Sequence, residues 1–154
     1  MCIAVLLLAK IDNRQYEQME TISLGDFLDR LLPSLECLMG NIVLRKDFQT
    51  SLMIRANRTL LESLVNNLVV NAVRHNRPNG DITLVLTGRQ LIVSNTSDEP
   101  ELDARQVFNR FYRSSEKTKG NGLGLAIVKT VCEYHGWKVN YWYENNRHCF
   151  AVNF

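Results

Sequence analysis

The chain has 154 residues, 45% of them hydrophobic and 22% charged, which suits one soluble globular domain with its own core. Its net charge of +2 is too small to point to nucleic acid or an anionic membrane surface, and its basic residues are scattered apart from a cluster between Arg105 and Lys119. Cys2, Cys37, Cys132 and Cys149 lie far apart with no C-x-x-C pair, so reduced core thiols are expected rather than a zinc site or disulfide framework.

The opening "MCIAVLLLAK" lacks the basic leader and small-residue cleavage site of a signal peptide, and is too short to span a bilayer. A helix is expected over residues 3–19. Ser23 reads as the N-cap of a second helix, with Asp26 in its first turn. Leu24, Phe27, Leu28, Leu31, Leu35 and Leu38 follow at helical spacing, Pro33 predicts a kink or early end, and Gly40 a stop. "NIVLRKDF" and "SLMIRAN" read as two short strands joined by a turn.

Thr59 and Glu62 have capping-box spacing ahead of the long apolar helix "LLESLVNNLVVNAVRHN", which Pro78, Asn79 and Gly80 break. "DITLVLT" and "QLIVSN" form a hairpin around Gly88. Periodicity then vanishes from Thr96 to Asn121, a long, polar, basic stretch of the kind that serves as a functional loop. A helix from Gly122 to His135 stops at Gly136, and "WKVNYWY" and "RHCFAVNF" make a closing hairpin.

Two stretches carry chemistry. Asn67, Asn71 and Arg74 project from one face of the long helix. Amide oxygens beside a positive charge suit a hard cation together with an anion, and magnesium with phosphate fits that offer; a solvated polar stripe has the same spacing. In "GNGLGLAIVKTV", Gly120, Gly122 and Gly124 run into a helix start, where backbone N–H groups and the helix dipole favour phosphate. A flexible linker or a tight turn without ligand reads the same way.

"NLVVNAVRHN", "IVSNTS", "VFNRFYR" and "GNGLGLAIVKTVCEYHG", in that order, together resemble the catalytic ATP-binding domain of sensor histidine kinases, within the wider family shared with gyrase, Hsp90 and MutL. The resemblance runs from about Asn57 to Phe154. It implies an α/β sandwich, a mixed sheet of about five strands with three helices on one face, over residues 21–154. Residues 1–20 resemble the end of the second helix of a dimerisation and phosphoacceptor domain.

By this resemblance Asn67 and Asn71 hold the magnesium that bridges the ATP phosphates, and Arg74 reaches those phosphates. His75 stands where a ring could stack on adenine. Phe108, Arg110, Phe111, Tyr112 and Arg113 match the phenylalanine box of the ATP lid, with Phe108 and Arg113 toward the nucleotide. Gly120, Gly122 and Gly124, with Leu123 and Leu125, match the second glycine box. The implied chemistry is transfer of the γ-phosphoryl group of ATP to a histidine on the dimerisation domain, and onward to a response-regulator aspartate. The implied parent is a homodimer anchored in the bacterial inner membrane, with this domain in the cytoplasm and no nucleic-acid partner.

Two departures stand out. The family's first glycine box reads D-x-G-x-G, and its Asp accepts from the adenine amino group; here the stretch is "SNTSDEP", with Asn95 at the Asp position and both glycines lost. An Asn oxygen still accepts, but without charge, so adenine selectivity is expected to be weaker or altered relative to an Asn95→Asp variant. Asp98 and Asp103 read as exposed loop residues. Relatives that hydrolyse ATP place a Glu near the asparagine box, whereas Ser63 lies four residues before Asn67 and Glu62 is taken for the capping box, so transfer fits better than hydrolysis.

The remaining candidates have plain readings. His135 is expected to cap its helix and His148 to begin the last strand, while Trp137, Tyr141 and Tyr143 alternate as packing residues. Arg105, Arg110, Arg113, Lys117 and Lys119 suit either phosphate contacts or a solvated lid face. Rival functions are a docking module that binds nucleotide weakly, and an independent ATPase or anti-sigma serine kinase.

Overall fold

The structure, a computed structural model, describes residues 18–112 and 123–154. The helix expected over residues 3–19 lies outside them except for Gln18 and Met19, which are not helical. Strand β1 (Glu20–Ser23) leads directly into helix α1 (Leu24–Leu35). Ser23 occupies the N-cap position, but its side chain makes no capping bond, and the Leu24 N–H donates instead to the Leu52 carbonyl at 2.9 Å.

Leu24, Phe27, Leu28, Leu32 and Leu35 bury one stripe of α1. Pro33 cannot donate to the preceding turn, and the helix ends two residues later in a 3₁₀ turn at Glu36–Leu38. That tightening takes Leu38 off the helical stripe: it is 50% exposed, contrary to its place in the sequence periodicity.

β2 (Val43–Phe48) and β3 (Met53–Ala56) do not form the expected pair. β3 runs antiparallel to β1 in a small sheet of its own. β2 runs parallel to β4 (Asp81–Thr87), reached by a crossover through helix α2 (Arg58–Arg74). The capping box is also replaced. Asn57 is the N-cap of α2, its side-chain oxygen accepting the Leu60 N–H at 3.0 Å, while Thr59 and Glu62 are exposed.

β4 and β5 (Gln90–Thr96) form the expected hairpin, with Gly88 at φ +56° where a Cβ would be strained. Helix α3 (Gly124–His135) stops at Gly136, which is left-handed with φ +74°. β6 (Lys138–Glu144) and β7 (Arg147–Asn153) close through Asn145 and Asn146, both at positive φ.

The main sheet has the order β2-β4-β5-β7-β6, and only the β2–β4 pair is parallel. This is the expected α/β sandwich with a mixed five-stranded sheet and three helices. Register and burial define three rows across the helix-facing side of β4, β5, β7 and β6. Leu86, Leu91, Val152 and Val139 make the first, and Leu84, Val93, Phe150 and Tyr141 the second. Ile82, Asn95, His148 and Tyr143 make the third, where polar groups enter a buried layer.

On the opposite side, Arg147 reaches Asp81 at 2.7 Å and Thr83 and Ser94 Oγ at 3.2 Å, clasping β7 to β4 and β5. That guanidinium bond holds the Asp81 carboxyl below its usual range.

α2 and α3 pack antiparallel. Near the start of α2, His135 Nε2 accepts the Asn57 N–H at 3.1 Å, and its Nδ1 lies 2.8 Å from the Val131 carbonyl. His135 therefore spans two helices as well as binding within its own. Burial holds its ring toward the neutral form, which this pair of bonds requires. At the other end of α3, Gly124 meets Asn67.

Candidate functional site

α2 buries Leu60, Leu61, Leu64, Val65, Leu68, Val69 and Ala72, leaving Asn67 and Asn71 half-buried beside that stripe and Arg74 exposed at the last turn. The Asn67 amide nitrogen donates to the Ser63 carbonyl at 2.7 Å, which fixes the carboxamide. Its oxygen turns toward α3, where a Cβ built on Gly124 would stand only 3.1 Å away. A larger residue at Gly124 would press on the Asn67 carboxamide where the glycine-rich stretch meets the asparagine face.

The first turn of α3 has no acidic residue and Leu123 supplies no side-chain cap, and Gly124 opens that turn against Asn67 in the middle of α2. An amide oxygen whose nitrogen is already tied suits a hard cation. Leu123 is buried and Leu125 packs against the core, so both seat the helix. Arg113, Gly120 and Gly122, with Lys117 and Lys119, lie outside the described residues.

A second cluster sits at the C-terminal end of α2. Asn95 is 1% exposed, and its amide nitrogen donates to the carbonyls of Thr96 at 3.0 Å and His75 at 3.3 Å. Its oxygen has no partner among the described residues. His75 Nδ1 lies 2.8 Å from Glu99 Oε2, so this ring is engaged with a loop carboxylate. The Thr96 hydroxyl donates to Asn76 Oδ1 at 2.6 Å and accepts the Asp81 N–H at 2.9 Å. A Cβ on Gly80 would collide with that hydroxyl and with Asn76 Oδ1, so the turn that ends α2 is locked onto β5.

The loop after β5 folds back on the sheet. Val107 is buried, Phe108 meets Phe150 edge-on with ring centroids 6.0 Å apart, and the Tyr112 hydroxyl accepts the Asp103 N–H at 3.2 Å. Asp103 in turn accepts the Arg105 N–H at 2.9 Å, and Asp98 is exposed. Arg110 and Phe111 are exposed, Phe111 at 65% with φ +64°. The half-buried Phe108 is thus packed against the core, while Phe111 projects from it.

His148, expected only to begin the last strand, is 1% exposed. Its Nδ1 lies 2.8 Å from the Tyr141 hydroxyl, which accepts the Leu102 N–H at 3.0 Å. Burial, and next the neighbouring His75, push its pKa down. Glu99, Thr96 and His148 are not legible in the sequence because their partners lie far along the chain, His75 and Asn76 at the end of α2, Asp81 on β4 and Tyr141 on β6. The one available signal was a histidine in line with aromatic residues on facing strands.

Among the cysteines, Cys132 and Cys149 are core thiols, pushed up by burial to about 12 and about 11. Cys37 is exposed, because it lies in the turn where the α1 stripe has ended; the expectation of core burial fails there.

Comparison with known proteins gives a consistent picture. Residues 56–152 match the family model described as histidine kinase-, DNA gyrase B-, and HSP90-like ATPase. The heme sensor protein HssS of Staphylococcus epidermidis is 30% identical over 147 residues, covering 85% of this chain and 30% of that protein. The sensor histidine kinase HprS of Escherichia coli is 29% identical over 155 residues, covering 96% of this chain and 34% of that protein. The chain therefore spans about a third of the length of these relatives. In fold it matches a mycobacterial sensor histidine kinase, MprB, with TM-score 0.74 and 23% identity over 88% of this chain and 95% of that one.

Proposed function

The chain belongs to the histidine kinase-, DNA gyrase B- and HSP90-like ATPase family, and from that premise we propose that it binds Mg-ATP and donates the γ-phosphoryl group to a histidine. The carboxamide oxygens of Asn67 and Asn71 would hold the magnesium, which supplies charge neutralisation at the phosphates when bound. Arg74 and the N–H groups at the start of α3 add positive charge along the triphosphate. Asn95 Oδ1 accepts from the adenine amino group, and His75 flanks the base.

Arg113, Gly120, Gly122, Leu123, Gly124 and Leu125 complete the phosphate side in this reading, and Phe108 anchors the lid. In the transfer, an imidazole nitrogen of the acceptor histidine forms an N–P bond as the bond from the γ-phosphorus to the ADP oxygen breaks. Positioning and charge carry such a step, and no water-activating carboxylate is needed. Glu62 is exposed, and it is Ser63 that touches Asn67, which favours transfer over hydrolysis.

The acceptor belongs to a dimerisation domain of the same kinase, a response regulator receives the phosphoryl group, and the parent is a membrane-anchored homodimer with this domain in the cytoplasm. Among the described residues no helix is long and apolar enough to cross a membrane. The observation that carries the proposal is the seat of Gly124 on the Asn67 oxygen. Mixing the chain with a histidine-bearing dimerisation domain and γ-labelled ATP tests it. Acid-labile label on that domain is expected; label released only as inorganic phosphate would refute the transfer.

A further inference from the structure

Asn95 and His148 face each other as a register pair across β5 and β7, so their side chains share one face of the sheet. Both are 1% exposed, and each keeps one buried polar atom, Asn95 Oδ1 and His148 Nε2, without a partner among the described residues. Buried polar groups are nearly always paired, because leaving one bare costs its full desolvation. Two neighbouring orphans on adjacent strands mark a place built for something other than packing.

The chemical character of each orphan is fixed. The Asn95 amide nitrogen donates to two backbone carbonyls, so flipping the group would set its oxygen against both of them, and Oδ1 must be the free acceptor. For His148, the Leu102 N–H occupies one side of the Tyr141 oxygen. The Tyr141 O–H then donates to Nδ1, which leaves the proton of the neutral ring on Nε2. The opposite tautomer would strand the tyrosine proton and set two lone pairs, Nε2 and Asn95 Oδ1, on neighbouring strands. The pair therefore presents an acceptor and a donor.

We propose that His148 is a second base-reading residue, whose Nε2–H, directly or through one water, serves the ring N1 of a purine whose exocyclic amino group is held by Asn95. An acceptor beside a donor complements adenine, which offers an amino donor beside the N1 acceptor. Guanine offers a carbonyl oxygen beside an N–H, the reverse order, and would leave both protein groups mispaired. Tyr141 is the positioning residue that sets the tautomer, and its bond to Leu102 ties base reading to the start of the lid loop. The inference rests on the assignment of Asn95 to the base pocket.

The test compares ATP with 1-deaza-ATP, which lacks only the N1 acceptor, on the unchanged chain and on His148→Ala. Loss of one neutral hydrogen bond predicts binding of 1-deaza-ATP about tenfold weaker than ATP by the unchanged chain, with the ratio collapsing toward one in the variant. The same ratio in both proteins would overturn the proposal. Tyr141→Phe keeps the ring packing, frees the tautomer and is expected to shrink the ratio partway; it supplies the comparison if the alanine variant does not fold. Ring nitrogen shifts of His148 in the nucleotide-free chain should show the proton on Nε2, and a proton on Nδ1 would also overturn it. No saturable binding of either nucleotide would instead bring down the base-pocket assignment itself.

Discussion

The helix-facing side of the sheet holds two regions built from the same strands. The rows through Leu86 and Leu84 are apolar apart from the Tyr141 hydroxyl at the edge, which is hydrogen-bonded, and their leucines are wholly buried. The row through Ile82 places Asn95 and His148 at equal depth and leaves one polar atom of each unpartnered among the described residues. The first region is optimised for packing. The second leaves buried polar atoms bare, which costs stability, and it lies where α2 ends and the loop after β5 begins.

Substitutions should separate the two regions. Phe150→Ala in the apolar row removes a ring that meets Phe108 and Tyr141, and should cost about 3–5 kcal/mol in denaturant unfolding. An equal loss from His148→Ala would erase the distinction between the rows. Asn95→Asp sharpens it further. A carboxylate cannot donate to the His75 and Thr96 carbonyls, so the family's usual acid should destabilise this fold by about 1–3 kcal/mol rather than simply restore selectivity.

Asn57 provides a control, being a buried asparagine whose capping bond is satisfied. Asn57→Ala should cost about 1 kcal/mol without changing nucleotide selectivity, read by melting and by ATP titration. The smallest effect is acid sensitivity at the Arg147 clasp. The Asp81 pKa is lowered in the folded state, so its contribution is complete above the unfolded carboxyl value and fades as pH falls through that value toward the folded one. Asp81→Asn should remove this component, on the order of 0.5–1 kcal/mol, from the acid limb of a stability-versus-pH curve.

Much of the fold was legible because its signals are local. Gly88 and the Asn145–Asn146 pair mark hairpins, Gly136 marks a helix stop, and the apolar spacing of α1 and α2 marks their buried stripes. Strand partners were not local. β2 and β3 alternate like a hairpin, yet pair with β4 and β1, because alternation identifies a strand without naming its neighbour.

The site divides in the same way. Asn67 and Asn71 are one turn apart in sequence and stand out, whereas Asn95 and His148 meet only through register. The cap of α2 moved from Thr59 to Asn57 for a related reason. Asn57 also has the Gln18 carbonyl and the His135 ring as partners, which a capping motif read along one segment does not include.

The central claim is that the Asn67–Asn71 face and the start of α3 grip one metal-bound triphosphate. Calorimetric titration of the chain with Mg-ATP, repeated on Asn71→Ala and without magnesium, tests it most directly. Saturable binding is expected, weakened on the order of tenfold or more by either change while the melting temperature of the variant holds. Absence of saturation at millimolar nucleotide, or equal affinity in the variant, would contradict the account.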